Sequence, residues 1–377
     1  MKRILFIQDI KKGGAYESLM QISNSLGQEF DLYFCFKSSK KFQSSSINNS
    51  YELNIRNWIN YMGGNSKTKF LIKLPGIVLL QIFTIIKLMI IIKEKKIDVV
   101  HTNSRYYLEG AIAAKLLSVK HIWSIRELVL NNNYYKSNIV RNFIFTTIIN
   151  GFSDTVLCNS NAALEQLLKI GIKEYKIKKI FNLVKVVKKE NQKQIKHLLP
   201  AQFKDRIIVA IIGWISPIKR VEIFLNLAAE FKNSRVLFVI IGEHTKRDEA
   251  YYLSIKNRAD SLRNIEMIGH IDRIVDYIGS IDMLIHCCDC ESFGRVVAEA
   301  QLHNVPAIVF KGSAVSELVV DQVTGYVVDN FSDLKHKLNL HIDYMIDNKK
   351  PASFNNIENY MNHLDHSKLI QQYRDIY

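Results

Sequence analysis

Short apolar runs alternate along this chain with stretches whose apolar residues recur at the helical period. Lys2 to Gln8 predicts a strand, and after Gly13-Gly14 a helix is expected over Glu17 to Leu26. Phe30 to Phe36 predicts the second strand. Ser38 to Lys69 is polar, with Asn and Ser clusters, and predicts a loop with a short element inside it. Strands follow over Ile97 to His101 and Ile122 to Glu127, with a helix over Gly110 to Leu117 between them. Lysine-rich Val184 to Leu199 predicts a linker. Beyond it, Arg206 to Ile212, Arg235 to Ile241, Ile281 to Cys288 and Val305 to Val309 predict strands, with a helix opening at Val221. This alternation over 377 residues predicts an α/β protein of two domains.

Leu71 to Ile92 departs from the pattern, because it is apolar almost throughout. Its longest uncharged run, Leu74 to Ile86, is too short to span a bilayer. Pro75 and Gly76 suit the start of a helix better than its middle. Lys73, Gln81, Thr84, Lys87 and Glu94 fall on one narrow stripe at the helical period, which leaves the rest apolar. Two readings follow. In the first, the helix is buried core. In the second, it lies at a membrane interface, flanked by Lys93, Lys95 and Lys96.

Charge sharpens the second reading. The net charge is +15, and residues 1–200 carry 31 Lys and Arg against 13 Asp and Glu. The basic half implies an anionic partner, either nucleic acid or an anionic membrane surface. No recognition-helix or RNA-binding aromatic pattern supports nucleic acid. The five cysteines, Cys35, Cys158, Cys287, Cys288 and Cys290, are odd in number and clustered, which predicts reduced thiols. His286 to Cys290 does not read as a zinc site, since alternate side chains of a strand face opposite ways. The apolar start, Ile4 to Ile7, is too short for a signal peptide, and a cytoplasmic location is expected.

Candidate chemistry gathers in Asp289-Cys-Glu-Ser-Phe-Gly-Arg-Val-Val-Ala-Glu299. The segment predicts a strand turning into a helix with Ser292 as its N-cap. The helix should end near Asn304, with Pro306 beyond it. Helical rise would place Glu291 and Glu299 on the order of 12 Å apart. A glycoside hydrolase pair needs roughly 5 to 9.5 Å, so these carboxylates suit instead the two ends of one elongated ligand. The helix N-terminus between them suits a phosphate. Two hydroxyl-binding carboxylates around a phosphate site describe a nucleotide-sugar. The plain alternative is a strand, a turn and a helix with two solvated glutamates.

Glu291 and Glu299, with Ser-Phe-Gly between them, resemble the E-x7-E motif of retaining glycosyltransferase family 4, the group 1 enzymes of GT-B fold. Gly213-Trp-Ile-Ser-Pro-Ile-Lys-Arg220 resembles the family's G-R-L-x-x-x-K-G segment, whose lysine and arginine hold the donor diphosphate. Lys219 matches the lysine. Trp214 stands at the arginine, which moves that contact to Arg220 or removes it. Gly13 and Gly14 match the first-loop glycine pair. Ile265 to His270 resembles the segment that contacts the nucleotide base. Arg126-Glu127 replaces the histidine found near the transferred sugar and resembles a variant in surface-polysaccharide transferases. One of the two faces the cleft, or they form a structural salt bridge. Leu183, Lys311 and Asp321 replace family glycines. Tyr360 to Tyr377 resembles the final helix that crosses back to the first domain.

The resemblance implies two doubly wound, Rossmann-like domains facing a central cleft. An acceptor-binding domain would span 1–195 with a crossing helix at about 355–377, and a nucleotide-sugar domain 201–350. It assigns Glu291, Lys219 and Arg126 to catalysis, and Glu299, Arg220, Phe293, Gly294, Gly14, Gly213 and His270 to ligand binding. The donor is a UDP- or GDP-sugar, with no metal and no further cofactor. The acceptor is a glycan or a polyprenyl-diphosphate-linked glycan of a bacterial capsule or O-antigen, at the inner face of the membrane. Rival readings are a nucleotide-sugar epimerase and a catalytically degraded partner subunit. Trp214, Leu183 and Lys311 favour the subunit, and Glu291, Glu299 and Lys219 oppose it.

Overall fold

The apolar runs form strands that pair in parallel with their neighbours. A strand buried on both faces needs apolar residues throughout, and β1 shows it, with Ile4, Leu5, Phe6 and Ile7 all fully buried. The computed structural model describes residues 1–8, 13–37, 49–56, 67–130, 139–231, 235–347, 354 and 356–377, with the backbone alone for 67–77 and 139–141. The chain divides into two units, Met1–Leu183 with His366–Tyr377, and Val184–Asp365.

In the first unit the elements run β1 (Arg3–Gln8), α1 (Gly14–Leu26), β2 (Asp31–Lys37), β3 (Ser50–Leu53), α2 (Lys67–Glu94), β4 (Val99–Thr102), α3 (Glu109–Leu116), β5 (Lys120–Ser124), α4 (Ile139–Phe152), β6 (Thr155–Cys158), α5 (Asn161–Lys169) and β7 (Ile177–Lys179). The strand order is β3-β2-β1-β4-β5-β6-β7. In the second unit they run β8 (Ile207–Ile212), α6 (Val221–Glu230), β9 (Val236–Ile241), α7 (Glu249–Asp260), β10 (Ile265–Gly269), β11 (Met283–His286), α8 (Arg295–Leu302), β12 (Ala307–Phe310), β13 (Gly325–Val328) and α9 (Phe331–Ile346), with order β10-β9-β8-β11-β12-β13. Both sheets are doubly wound α/β layers. Each reverses its strand order once, between β1 and β4 and between β8 and β11. Ligands of such sheets bind beyond the carboxyl ends of the strands at that reversal.

Three expectations need correction. Pro75 and Gly76 lie inside α2 and not at its start. The stretch before them, from Lys67, holds neither Gly nor Pro, so nothing in it stops a helix. Nor is α2 buried core. Leu88 and Ile92 pack on the sheet with partly buried Ile85, Met89 and Ile91, whereas Val78, Leu79, Leu80, Ile82, Phe83, Ile86 and Ile90 are exposed. Thr84, expected on the polar stripe, is buried, and its hydroxyl donates to the Leu80 carbonyl at 3.0 Å. A helix on one face of a sheet buries one side only, and here the outer side is apolar as well. Lys73 lies where only the backbone is described. Third, Val184 to Leu199, expected as a linker, lies within the second unit. The Val187 N–H donates to His303 Nε2 at 2.9 Å, and Ile195 is fully buried. Of the polar loop over Ser38 to Lys69, residues 38–48 and 57–66 lie outside the described residues, and the element inside it is β3.

The closing helix α10 (His366–Ile376) belongs to the first unit and begins six residues after Tyr360. Its buried face, Leu369, Ile370, Tyr373 and Ile376, joins the core formed by Ile4, Phe6, Leu19 and Leu26. The Tyr377 hydroxyl and His101 Nδ1 share a 2.6 Å hydrogen bond, and Lys2 Nζ donates to the Tyr377 backbone oxygen at 3.0 Å. Burial, with Arg126 and His121 nearby, holds His101 well below its ordinary pKa, so it is neutral. Tyr373 is 2% exposed. Tyr373→Ala should therefore destabilise the first unit by about 3 kcal/mol, read from urea unfolding followed in that unit. An unchanged midpoint would show that α10 does not hold that core together.

Candidate active site

The strands at the reversal of the second sheet, β8 and β11, carry the two loops that hold most of the candidate residues. After β8 the chain turns at Gly213, whose φ is +145°. A Cβ added at Gly242, which follows β9, would lie 1.8 Å from the Gly213 carbonyl oxygen. Only glycine there lets the two loops approach so closely. A single 3-10 turn, Pro217–Lys219, then presents Lys219, and its proline presets the turn. Arg220 follows with φ +52°, a left-handed conformation that costs a non-glycine residue about 1 kcal/mol. Such strain collects at functional sites.

From β11 come His286, Asp289 and Glu291. The Lys219 ammonium pairs with Glu291 Oε2, and His286 Nε2 lies 3.7 Å from the same oxygen. Arg220 Nη1 donates to Asp289 Oδ2 at 2.9 Å, and the guanidinium lies 5.7 Å from the centre of the Phe310 ring. Burial alone would raise the Glu291 pKa, but the Lys219 ammonium and His286 outweigh it and hold the carboxyl well below the carboxylate range. Burial opposes the Lys219 charge, yet Glu291 and the nearby Cys288 sulfur raise its pKa overall. Burial lowers His286, which is neutral at pH 7. Its Nδ1 is buried without a hydrogen-bond partner among the described residues. Beside Lys219 lies a small, mostly apolar depression whose lining includes Ile211, Gly213, Trp214, Ile215, Lys219 and His286. The arrangement sets a fixed cation against a fixed anion, with a neutral imidazole beside them.

The turn into α8 differs from expectation. Ser292 is not the N-cap. Gly294 is, with φ +84°, and the helix begins at Arg295. A Cβ on Gly294 would lie 2.8 Å from Val315 Cγ2, so both its conformation and its neighbour require glycine. The rise-based separation of Glu291 and Glu299 assumed a helix from Ser292, whereas Ser292, Phe293 and Gly294 all precede the helix. Phe293 is buried. The helix ends as expected, with Asn304 at φ +60°. Arg295 Nη2 and Glu299 Oε1 form a 2.9 Å ion pair, and the Glu299 side chain is only 10% exposed. A cation in the first turn opposes the helix dipole, so this pair is poorly placed to stabilise α8. It does hold the Glu299 carboxylate in position.

The remaining candidates lie elsewhere. His270 follows β10, with its Nε2 3.1 Å from Asp272 Oδ1 and its Nδ1 3.9 Å from Glu243 Oε1. Gly14 opens α1 in the first unit behind Gly13, whose φ is +90°. Lys11 and Lys12 are outside the described residues. Arg126 is also in the first unit, just past β5. Its Nε donates to Asn103 Oδ1 at 2.8 Å and its Nη1 to Asn182 Oδ1 at 2.5 Å. Asn103 in turn donates to Gln8 Oε1. The ends of β1, β4, β5 and β7 thus share one amide-guanidinium network. Sequence reasoning missed the partners, His286, Asp289 and Arg295. The signal for Arg295 was present, since it precedes Glu299 by one helical turn.

Comparisons with known proteins bear on this geometry. Residues 189–360 match the family model of glycosyl transferases group 1, and residues 46–187 that of Glycosyltransferase Family 4. The capsular polysaccharide biosynthesis glycosyltransferase CapH of Staphylococcus aureus is 24% identical over 383 residues, covering 98% of this chain and 96% of CapH. An uncharacterized 41.2 kDa protein in the cps region of Klebsiella pneumoniae is 26% identical over 256 residues, covering 64% of this chain and 68% of that protein. Among solved structures, Anabaena Alr3699/HepE in complex with UDP-glucose superposes with a TM-score of 0.79 at 18% identity, covering 100% of this chain and 99% of that one.

The depressed Glu291 pKa gives a signed prediction. A carboxyl lowered by folding contributes stability above its unfolded pKa of about 4.3 and loses it as pH falls. The gap in thermal midpoint between wild type and Glu291→Gln should stay constant from about pH 8 to pH 5 and narrow below about pH 4. A gap that already closed between about pH 8 and 5 would mean that another group carries it.

Proposed function

The chain belongs to glycosyltransferase family 4, with the GT-B fold, and from that membership we infer that it moves a sugar from a nucleotide-diphosphate sugar with retention of anomeric configuration. The observation that carries the reading is the Lys219–Glu291 pair at the strand reversal of the second unit. In this reading Glu299 takes the ribose hydroxyls and Glu291 the hydroxyls of the transferred sugar. Lys219, Arg220 and the start of α8 at Phe293-Gly294 hold the diphosphate. Gly213 lets the backbone approach the donor, and His270 lies towards the base.

The reaction breaks the bond between the anomeric carbon and the leaving phosphate oxygen. It forms a bond from the same face to an acceptor hydroxyl, and that hydroxyl's proton passes to the leaving phosphate. No protein nucleophile is required. The leaving diphosphate gains charge as the bond breaks, and a fixed ammonium beside it lowers the barrier. Lys219, held charged by Glu291, fills that role without a metal ion.

The acceptor is a glycan or a polyprenyl-diphosphate-linked glycan, bound by the basic first unit with Gly14 and Arg126 on its strand ends. A relative named for capsular polysaccharide biosynthesis, matching along almost the whole chain, supports a place in bacterial surface polysaccharide assembly. Neighbours solved with UDP and UDP-glucose support a nucleotide-sugar donor. A lipid-linked acceptor places the reaction at an anionic membrane surface.

The test is thermal stabilisation and donor hydrolysis across a panel of UDP- and GDP-sugars, in EDTA, with Glu299→Ala as control. One nucleotide should raise the melting point and be hydrolysed despite the chelator. Glu299→Ala should weaken its binding by about tenfold or more, as expected for lost hydrogen bonds to a charged group. Absence of a response to every donor would overturn the reading, and activity that needs added metal would overturn its metal-free part.

A further inference from the structure

Helix α2 presents to solvent an apolar face that its own unit does not use. Leu88 and Ile92 pack inward, and the outward residues Leu79, Ile82, Phe83, Ile86 and Ile90 are 46–55% exposed. At 100° per residue these five fall within an arc of about 100°, and they run for roughly 16 Å along the helix. Val78 and Leu80, also exposed, flank the stripe. Single exposed leucines need no explanation, but a continuous stripe of this length marks a contact surface.

Charge decides what covers it. Residues 67–96 contain seven lysines, at 67, 69, 73, 87, 93, 95 and 96, and a single acid, Glu94. Lys87, Lys93 and Lys96 are exposed, and Lys93 continues the line of the stripe one turn below Ile90. A second copy of this chain would set two such basic segments against each other. A partner that is apolar beneath and anionic on top satisfies both features, and a phospholipid surface has that profile. Lysine stems can lie along the apolar boundary while their ammonium groups reach phosphates. The helix would lie flat, since no helix among the described residues is long and apolar enough to cross a membrane.

We propose that α2 seats the first unit on an anionic phospholipid surface, with Leu79, Ile82, Phe83, Ile86 and Ile90 in the acyl boundary and Lys87, Lys93 and Lys96 at the headgroups. The assignment rests on the lipid-linked acceptor reading for its purpose and names the element that reaches the lipid. It also explains why the outer face of α2 carries a run of exposed apolar residues, where other helices expose single ones such as Leu116, Phe143 and Leu253.

Vesicle co-sedimentation tests it with the full chain. Vesicles of phosphatidylcholine, with and without about a third phosphatidylglycerol, are used at about 0.1 M salt. Wild type should bind the anionic vesicles about tenfold or more tightly than the neutral ones. The pair Phe83→Ser and Ile86→Ser should lose about tenfold of that affinity, while melting point and UDP-sugar binding stay at wild-type values. The pair Lys93→Gln and Lys96→Gln should lose the salt-dependent part. Equal pelleting of wild type and the serine pair would overturn the proposal. So would a concentration-dependent dimer that the serine pair abolishes, because a second copy would then cover the stripe. Failure of donor binding in wild type would instead count against the glycosyltransferase reading and leave this result standing.

Discussion

A carboxylate taken largely out of water needs a cation, and in the second unit that need joins two loops. Glu291 follows β11 and Lys219 follows β8, adjacent strands that send their chains apart at the order reversal. Removing either charge strands the other in a partly dry site. The pair therefore fixes both loops, and with them Arg220 on Asp289 and His286 beside Glu291. The glycines at 242 and 294 help to keep these loops close-packed, because a Cβ at either would collide with Gly213 or Val315, and Gly213 adopts a φ of +145° that favours glycine. Stability and binding capacity come from the same contacts.

Much of this was legible in the sequence, because parallel sheets announce themselves. Buried strands must be apolar on both faces, so β1, β8, β9 and β11 could be placed within a residue or two. The chemistry-bearing residues follow those strands at short, fixed intervals. What failed was local geometry. Ser292 was a good cap by composition, but the left-handed Gly294 starts the helix two residues later. Capping propensity lost to the packing of Gly294 against Val315. The ion pairs were harder to read, since Lys219 and Glu291 are 72 residues apart and meet only through strand order.

Helix α2 shows the opposite failure. Its sequence gives a nearly all-apolar helix, but periodicity cannot say which apolar side faces a sheet. Thr84 looked like a surface residue and is buried, satisfied by the Leu80 carbonyl. Phe83, core in one of the two readings, is exposed. A hydroxyl can be hidden when the backbone accepts its proton, whereas an exposed phenyl ring has no such remedy in water. The first unit otherwise obeys its pattern, closing its core with α10 and joining its strand ends through Arg126.

The central claim is that Lys219 exists to stabilise charge on a leaving diphosphate, and steady-state kinetics of Lys219→Ala beside Lys219→Arg tests it most directly. The account predicts that alanine lowers kcat by about a hundredfold while donor KM changes little, with arginine restoring part of the loss. A rise in KM at unchanged kcat, or full activity in Lys219→Ala, would contradict it and leave the pair with Glu291 as a structural tie alone.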